Sequence, residues 1–121
     1  DLAGFGLNVE DLNFDYVIEG EFSWKPMRVF DDGIKTYVEL PASAITEDVP
    51  IVLVEGDGAG TDDIVNYRLK GNRYIIDARP ARFYLIKGVG RQQQRLSVTR
   101  RDVHASNQAV QTTEEIVDAA N

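Results

Sequence analysis

Few residues in this chain are of a type that could do covalent chemistry, and each suggests a plainer role on inspection. His104 is the only histidine and there is no cysteine. Thiolate nucleophiles, disulfides and His/Cys metal clusters are therefore excluded. A general base needs an orienting partner and a pocket. His104 lies near the C-terminus among polar and charged neighbours, so it reads as a solvated side chain. The loop Glu55-Gly-Asp-Gly-Ala-Gly-Thr-Asp-Asp63 sets four carboxylates among glycines. Such a set could wrap Ca²⁺, but the spacing is not that of an EF-hand, and glycine occupies positions that should ligate. An acidic hairpin loop is the stronger expectation. Lys87-Gly-Val-Gly-Arg91 could form a phosphate nest, yet no helical pattern follows it, so a tight basic turn is expected. No catalytic residue, metal or cofactor is assigned.

The aromatic residues carry more information. Phe22, Trp24, Phe30 and Tyr37 fall close together in the chain. They can fill a core, or some can border a groove for an extended partner. Trp and Tyr suit half-buried sites, having an apolar body and one polar tip.

The elements that must position these residues are strands. Phe14, Tyr16 and Ile18 alternate with Asp15, Val17 and Glu19, and Ile34, Thr36, Val38 and Leu40 alternate with Lys35, Tyr37 and Glu39. Residues 51–54 form a short apolar run, and further alternation follows around residues 65–69, 74–78, 83–85 and 96–98. Breakers fall at Asp32-Gly33, Gly56 to Gly60, Gly71-Asn72 and Gly88 to Gly90. Pro26, Pro41, Pro50 and Pro80 each fall at a strand start or end, where a missing N–H is tolerated. About eight short strands at this spacing predict an all-β fold, an antiparallel β-sandwich.

Two hairpins can be tested for register. A two-residue turn at Gly71-Asn72 sets Leu69 opposite Tyr74, Tyr67 opposite Ile76 and Val65 opposite Ala78, all on one face. A slip of one residue would bury charge. The same logic at Asp32-Gly33 points Phe30 and Tyr37 away from Val29 and Val38. Either both faces of that hairpin are covered or the turn is longer. Residues 1–12, with Gly4 and Gly6, read as a flexible N-terminal arm. Residues 13–101 read as the sandwich, and residues 102–121 as a flexible or partly helical tail. In that tail Thr112 and Glu115 have capping-box spacing.

With 121 residues, 43% apolar and 27% charged, the chain has the balance of one globular domain and a modest core. No stretch has the ~18–20 apolar residues of a membrane helix, so no direct membrane span is expected. The chain begins at Asp1 rather than Met and reads as a domain cut from a longer protein. Its net charge of −7 is unevenly spread. Residues 1–67 hold three Lys/Arg against fifteen Asp/Glu, residues 68–101 hold ten against one, and residues 102–121 hold four acids and no Lys/Arg. Strands from the two halves can pair these charges across a sheet. The basic stretch lacks interleaved aromatics for base stacking, and overall acidity opposes phosphate contact, so no nucleic-acid partner is expected.

One long stretch is distinctive: Asn13-Phe-Asp-Tyr-Val-Ile-Glu-Gly20, then Ser23-Trp-Lys-Pro-Met-Arg-Val-Phe-Asp-Asp-Gly-Ile-Lys-Thr-Tyr-Val-Glu-Leu-Pro41. Val65-Asn-Tyr-Arg-Leu-Lys-Gly-Asn-Arg-Tyr74 and Gln93-Gln-Arg95 leading to Val98-Thr-Arg100 follow in order. Together they resemble the C-terminal domain of the TrbG/CagX-like conjugal-transfer family, outer-membrane core-complex proteins of type IV secretion systems. The resemblance implies a non-enzymatic sandwich in the periplasm at the outer membrane. It implies three partners: a short outer-membrane lipoprotein, the envelope-spanning core subunit, and copies of the chain in a ring. Family members that link to the lipoprotein through Cys have no counterpart here, so any such contact is non-covalent.

An open sandwich has edge strands that a partner segment can extend. Residues 14–19 are the first candidate edge and residues 93–99 the second. Phe14, Tyr16, Ile18, Phe22, Trp24, Leu96 and Val98 are the candidate partner-binding residues, with Phe14, Tyr16, Ile18, Leu96 and Val98 lining a groove between the sheets. Tyr16→Asp separates the two roles: lost binding with a folded domain marks a groove, and a lost cooperative melt marks core. The alternative function is a stand-alone Ca²⁺- or sugar-binding sandwich using residues 55–63 and exposed aromatics.

Overall fold

The computed structural model describes residues 7–46, 48–58 and 60–102. Gly4, Gly6, His104 and the Thr112–Glu115 spacing lie outside the described residues, as do half of the proposed arm and nearly all of the proposed tail. The strands are β1 (Tyr16–Glu19), β2 (Arg28–Asp31), β3 (Thr36–Glu39), β4 (Ile51–Glu55), β5 (Asp62–Ile64), β6 (Tyr67–Lys70), β7 (Arg73–Ile76), β8 (Arg82–Lys87) and β9 (Gln94–Arg100). They form two antiparallel sheets, ordered β1-β9-β8-β4-β5 and β2-β3-β7-β6. The expected all-β sandwich is the observed fold. β5 is the strand the periodicity does not announce: Asp62, Asp63 and Ile64 are all exposed, so no alternation marks it.

Alternation decides which side chains meet between the sheets. Tyr16, Val52, Phe83, Leu85, Leu96 and Val98 from one sheet pack with Val29, Val38, Leu40, Tyr74 and Ile76 from the other. Burying each large apolar side chain in this set contributes roughly 1.5–3 kcal/mol. The β6–β7 hairpin has the register that its residue pattern requires, from Tyr67↔Ile76 to Lys70↔Arg73. Gly71 has φ +61°, and among the described residues no non-glycine residue has positive φ, which fits a two-residue turn of type II′.

The β2–β3 hairpin resolves its two alternatives by satisfying both. Asp31 pairs with Thr36, so the connection is the four residues 32–35 rather than two. Phe30 and Tyr37 do point away from the main core, and both are buried. They form a second apolar cluster with Ile75, covered by Leu7 and Leu12 of the segment that precedes β1. The four-stranded sheet therefore has two covered faces, and the chain around residues 7–14 is packed against it rather than free.

Candidate partner-docking rim

Asp31 shares the inward face of β2 with Val29, yet it is a carboxylate with 1% exposure. It survives there because its oxygens are saturated. Tyr16 Oη donates to it at 2.6 Å, Asn13 Nδ2 at 3.0 Å, the Gly33 backbone N–H at 2.9 Å and Arg79 Nε at 2.8 Å. Burial pushes the Asp31 carboxyl up, but the four hydrogen bonds outweigh it and hold the group below its ordinary range. Tyr16 shifts oppositely: burial, then the hydrogen bond to Asp31 and its negative charge, raise the phenol well above its usual value. Tyr16 belongs to one sheet and Asp31 to the other, so this network ties the two layers together at one end of the sandwich. The backbone reinforces it, with Asn13 and Asp31 exchanging two N–H···O bonds of 2.9 Å.

A stack of aromatics closes the other end of β1. The rings of Phe22 and Trp24 lie 5.2 Å apart and almost parallel. Trp24 is buried and its indole Nε1–H donates to Gln94 Oε1 at 2.6 Å, anchoring the β1–β2 connection to the start of β9. Near the Asp31 end, Phe14 lies over Phe30 at 5.2 Å, and Phe30 stacks on Tyr37 at 5.1 Å. Phe14 remains 43% exposed.

Of the seven candidate side chains, Leu96 and Val98 are fully buried, and Tyr16 and Trp24 are buried as well. Ile18 and Phe22 are half-buried against the same core. Phe14 is the exposed member, stacked over Phe30 of the second cluster. The groove expected between the sheets is therefore filled by the chain's own side chains. Residues 93–99 are also corrected as an edge, because β9 pairs with β1 on one side and β8 on the other. β1 is an edge of its sheet, as expected.

The register shows which groups that edge presents. Arg101 N–H donates to the Asp15 carbonyl at 2.8 Å, so residues 15, 17 and 19 aim their main-chain groups at β9. By alternation, Ile18 turns its N–H and C=O outward, and Tyr16 its C=O; the Tyr16 N–H is taken by the Phe14 carbonyl at 2.9 Å. The neighbouring edge, β2, behaves alike: Asp31 turns outward to Asn13, and Val29 shares its parity.

The uneven charges along the chain do meet in pairs. Glu39 of β3 accepts from Arg28 at 3.1 Å and from Arg73 at 3.0 Å, across three adjacent strands. Arg95 clamps Asp62 with contacts of 3.0 and 2.6 Å while its guanidinium lies 4.0 Å over the Tyr84 ring. Arg101 reaches Asp15, and Arg79 reaches Asp31. The 55–63 hairpin thus commits Asp62 to an arginine, and its Glu55 lies toward Arg82 and Tyr84. Among the described residues no three His, Cys, Asp or Glu converge as a metal site. Asn13, Asp31 and Arg79 are the site residues that pattern reading misses. The one available signal is a carboxylate on the apolar phase of a strand.

The sequence and this geometry can be set beside known proteins. The chain is 38% identical over 95 residues to a "Probable conjugal transfer protein TrbG" of Sinorhizobium fredii, covering 78% of this chain and 34% of that one. It is 32% identical over 72 residues to "Protein virB9" of Agrobacterium fabrum, covering 60% of this chain and 23% of that one. It therefore spans about a third or less of these relatives. The family model described as "CagX: Conjugal transfer protein" matches residues 3–101, which contain every strand of the sandwich, and the chain belongs to that conjugal-transfer family.

Proposed function

We propose that this chain is a structural, non-enzymatic subunit domain of a type IV secretion or conjugation core complex. It works in the periplasm at the outer membrane, where its β1 rim takes an extended segment of a short lipoprotein. The envelope-spanning core subunit and neighbouring copies are its other partners. The observation that carries the lipoprotein reading is the free parity of β1: Ile18 presents an N–H and C=O that have no partner among the described residues, on an otherwise ordered edge. A partner strand gains main-chain hydrogen bonds there, with Phe14 and the half-buried Ile18 side chain beside it for specificity. Tyr16, Phe22, Trp24, Leu96 and Val98 support that edge from beneath instead of touching the partner.

A pair of proline substitutions tests this reading by parity. The Val17 N–H faces β9, whereas the Ile18 N–H faces the partner. The probe is a synthetic peptide of the mature short lipoprotein encoded with the same transfer system. Ile18→Pro is expected to keep a cooperative melt and lose peptide binding, while Val17→Pro damages the ladder itself. Amide exchange at Ile18 is expected to slow when the peptide is added to the unaltered chain. Peptide binding retained by a folded Ile18→Pro chain sinks the strand-addition reading.

A further inference from the structure

The two ends of the sandwich differ in charge and shape. The Asp31 end holds the β2–β3 turn and the β4–β5 hairpin, and the opposite end holds the β6–β7 turn and the β8–β9 connection. Asp57 and Asp63, at or beside the first end, make no ion pair among the described residues; nor do Lys70, Lys87 and Arg91 at the second. After the internal pairs cancel, one end is left acidic and the other basic.

Each end also has one apolar feature. At the acidic end Ile34 stands 74% exposed on the β2–β3 turn. That turn is locked: Asp32 Oδ1 accepts the Ile34 and Lys35 N–H groups at 2.9 and 2.7 Å, and Asp31 Oδ1 accepts that of Gly33. A tip already ordered loses little entropy on docking. At the basic end lies an open cleft of about 1050 Å³, where Val49, Ile51, Ile86 and Val89 meet Lys87 and Arg91. Val49, Ile51 and Val89 are 41%, 48% and 83% exposed. Asp48 also borders it, leaving the cleft with a single net positive charge. One wall requires glycine, since Gly88 has φ +86° and a Cβ there would meet the Gln92 carbonyl oxygen at 2.9 Å.

We infer that Ile34 of one copy seats in the Val49–Ile51–Val89 cleft of the next, with the acidic end facing Lys87 and Arg91. Tip and cleft are separated by the length of the strands, about 20 Å for six or seven residues, so they cannot meet within one molecule. The contact is heterologous: it propagates head to tail and closes into a ring where the rotation permits. This deepens the reading that copies of the chain are neighbours. It needs no lipoprotein, so its failure and that of the β1 rim reading are separable.

The absence of cysteine from the chain gives a clean test. Ile34→Cys and Val89→Cys are made singly, at exposed positions that leave the core intact, and both are checked for an unchanged melt. Each is oxidised alone, and the two are then oxidised as a mixture. The mixed dimer, with one variant disulfide-linked to the other, is expected to form at least about tenfold faster than either homodimer. Reversing the basic side with Lys87→Glu and Arg91→Glu is expected to slow it, and adding Asp57→Lys and Asp63→Lys on the partner to restore it. The double variant Ile34→Cys/Val89→Cys is expected to give a ladder of higher oligomers. Equal rates in the mixture and the single variants overturn the inference, as does a mixed dimer indifferent to charge reversal.

Discussion

The sandwich has two open sides, and they are built differently. On one side β1 and β2 turn most of their side chains inward and keep part of their main chain without a partner among the described residues. On the other, β5 and β6 leave most of their side chains in solvent. There the chain passes from one sheet to the other through Val65 and Asn66, and the Asn66 carbonyl accepts the Asp77 N–H at 2.8 Å. The β1/β2 side is held by a buried polar network, and the β5/β6 side by local continuity and the exposed clamp of Arg95 on Asp62. The proposed strand-receiving role asks for a rim that is stiff without being paired. Burying side chains while leaving amides free achieves that, whereas exposing the side chains does not.

The largest effects should separate the two sides. Tyr16→Asp places a second carboxylate against Asp31 in the core, and loss of the cooperative melt is expected. Asp31→Ala leaves Arg79, Asn13 and the Tyr16 hydroxyl without their shared acceptor, at a cost of about 3–5 kcal/mol. Asp63→Ala on the opposite side, an exposed acid without an ion pair among the described residues, should stay within about 0.5 kcal/mol of the parent. Urea midpoints at constant m-value measure all three. A similar loss for Asp63→Ala and Asp31→Ala would show the two sides to be equally built.

Much of this contrast was legible in the sequence, and the rest was hidden for a definite reason. The β6–β7 register followed from alternation around Gly71-Asn72 because one face is wholly apolar while the other carries Arg68, Lys70 and Arg73 beside a single apolar residue, Ile75. β5 escaped because a strand exposed throughout imposes no pattern. Leu96 and Val98 were legible as inward-facing residues, but alternation cannot distinguish a groove wall from a filled core. That difference depends on what lies opposite. The Asp31 network joins residues 13, 16, 31, 33 and 79, and no local period links positions so far apart.

Acid should act first on the β1/β2 side. The Asp31 carboxyl is held below its ordinary value, so the unfolded chain takes up its proton at a higher pH than the folded one. The stability from this group is fully present above the unfolded carboxylate range, near pH ~4, and is lost as pH falls through the folded value. Glu39, lowered in the same direction by Arg28 and Arg73 against an opposing effect of burial, adds to this loss. Alkali acts by the opposite sign. Burial, then the bond to Asp32, push the Tyr37 phenol up to about 12, so its contribution holds below pH ~10 and falls as pH rises toward 12. Amide exchange at Tyr16 and Asp31 should rise before that at Arg68, whose N–H faces β7, as pH drops below about 4, and the reverse order would break the contrast.

Smaller effects sharpen the picture at the far end of β1. Trp24→Phe keeps an aromatic ring to stack on Phe22 but removes the hydrogen bond to Gln94 and part of the buried indole. It should cost about 1 kcal/mol for the bond, plus the cost of the space the smaller ring leaves. Gln94→Ala removes the other partner, so a double-mutant cycle isolates the bond from the packing. If the coupling falls near zero, the β1–β2 connection is held by ring burial alone. A coupling of about 1 kcal/mol means that a side-chain bond fixes where this connection meets β9. In that case the rim is pinned at both ends by polar contacts, and the strand between them is held against β9 with its outer edge free of a partner among the described residues.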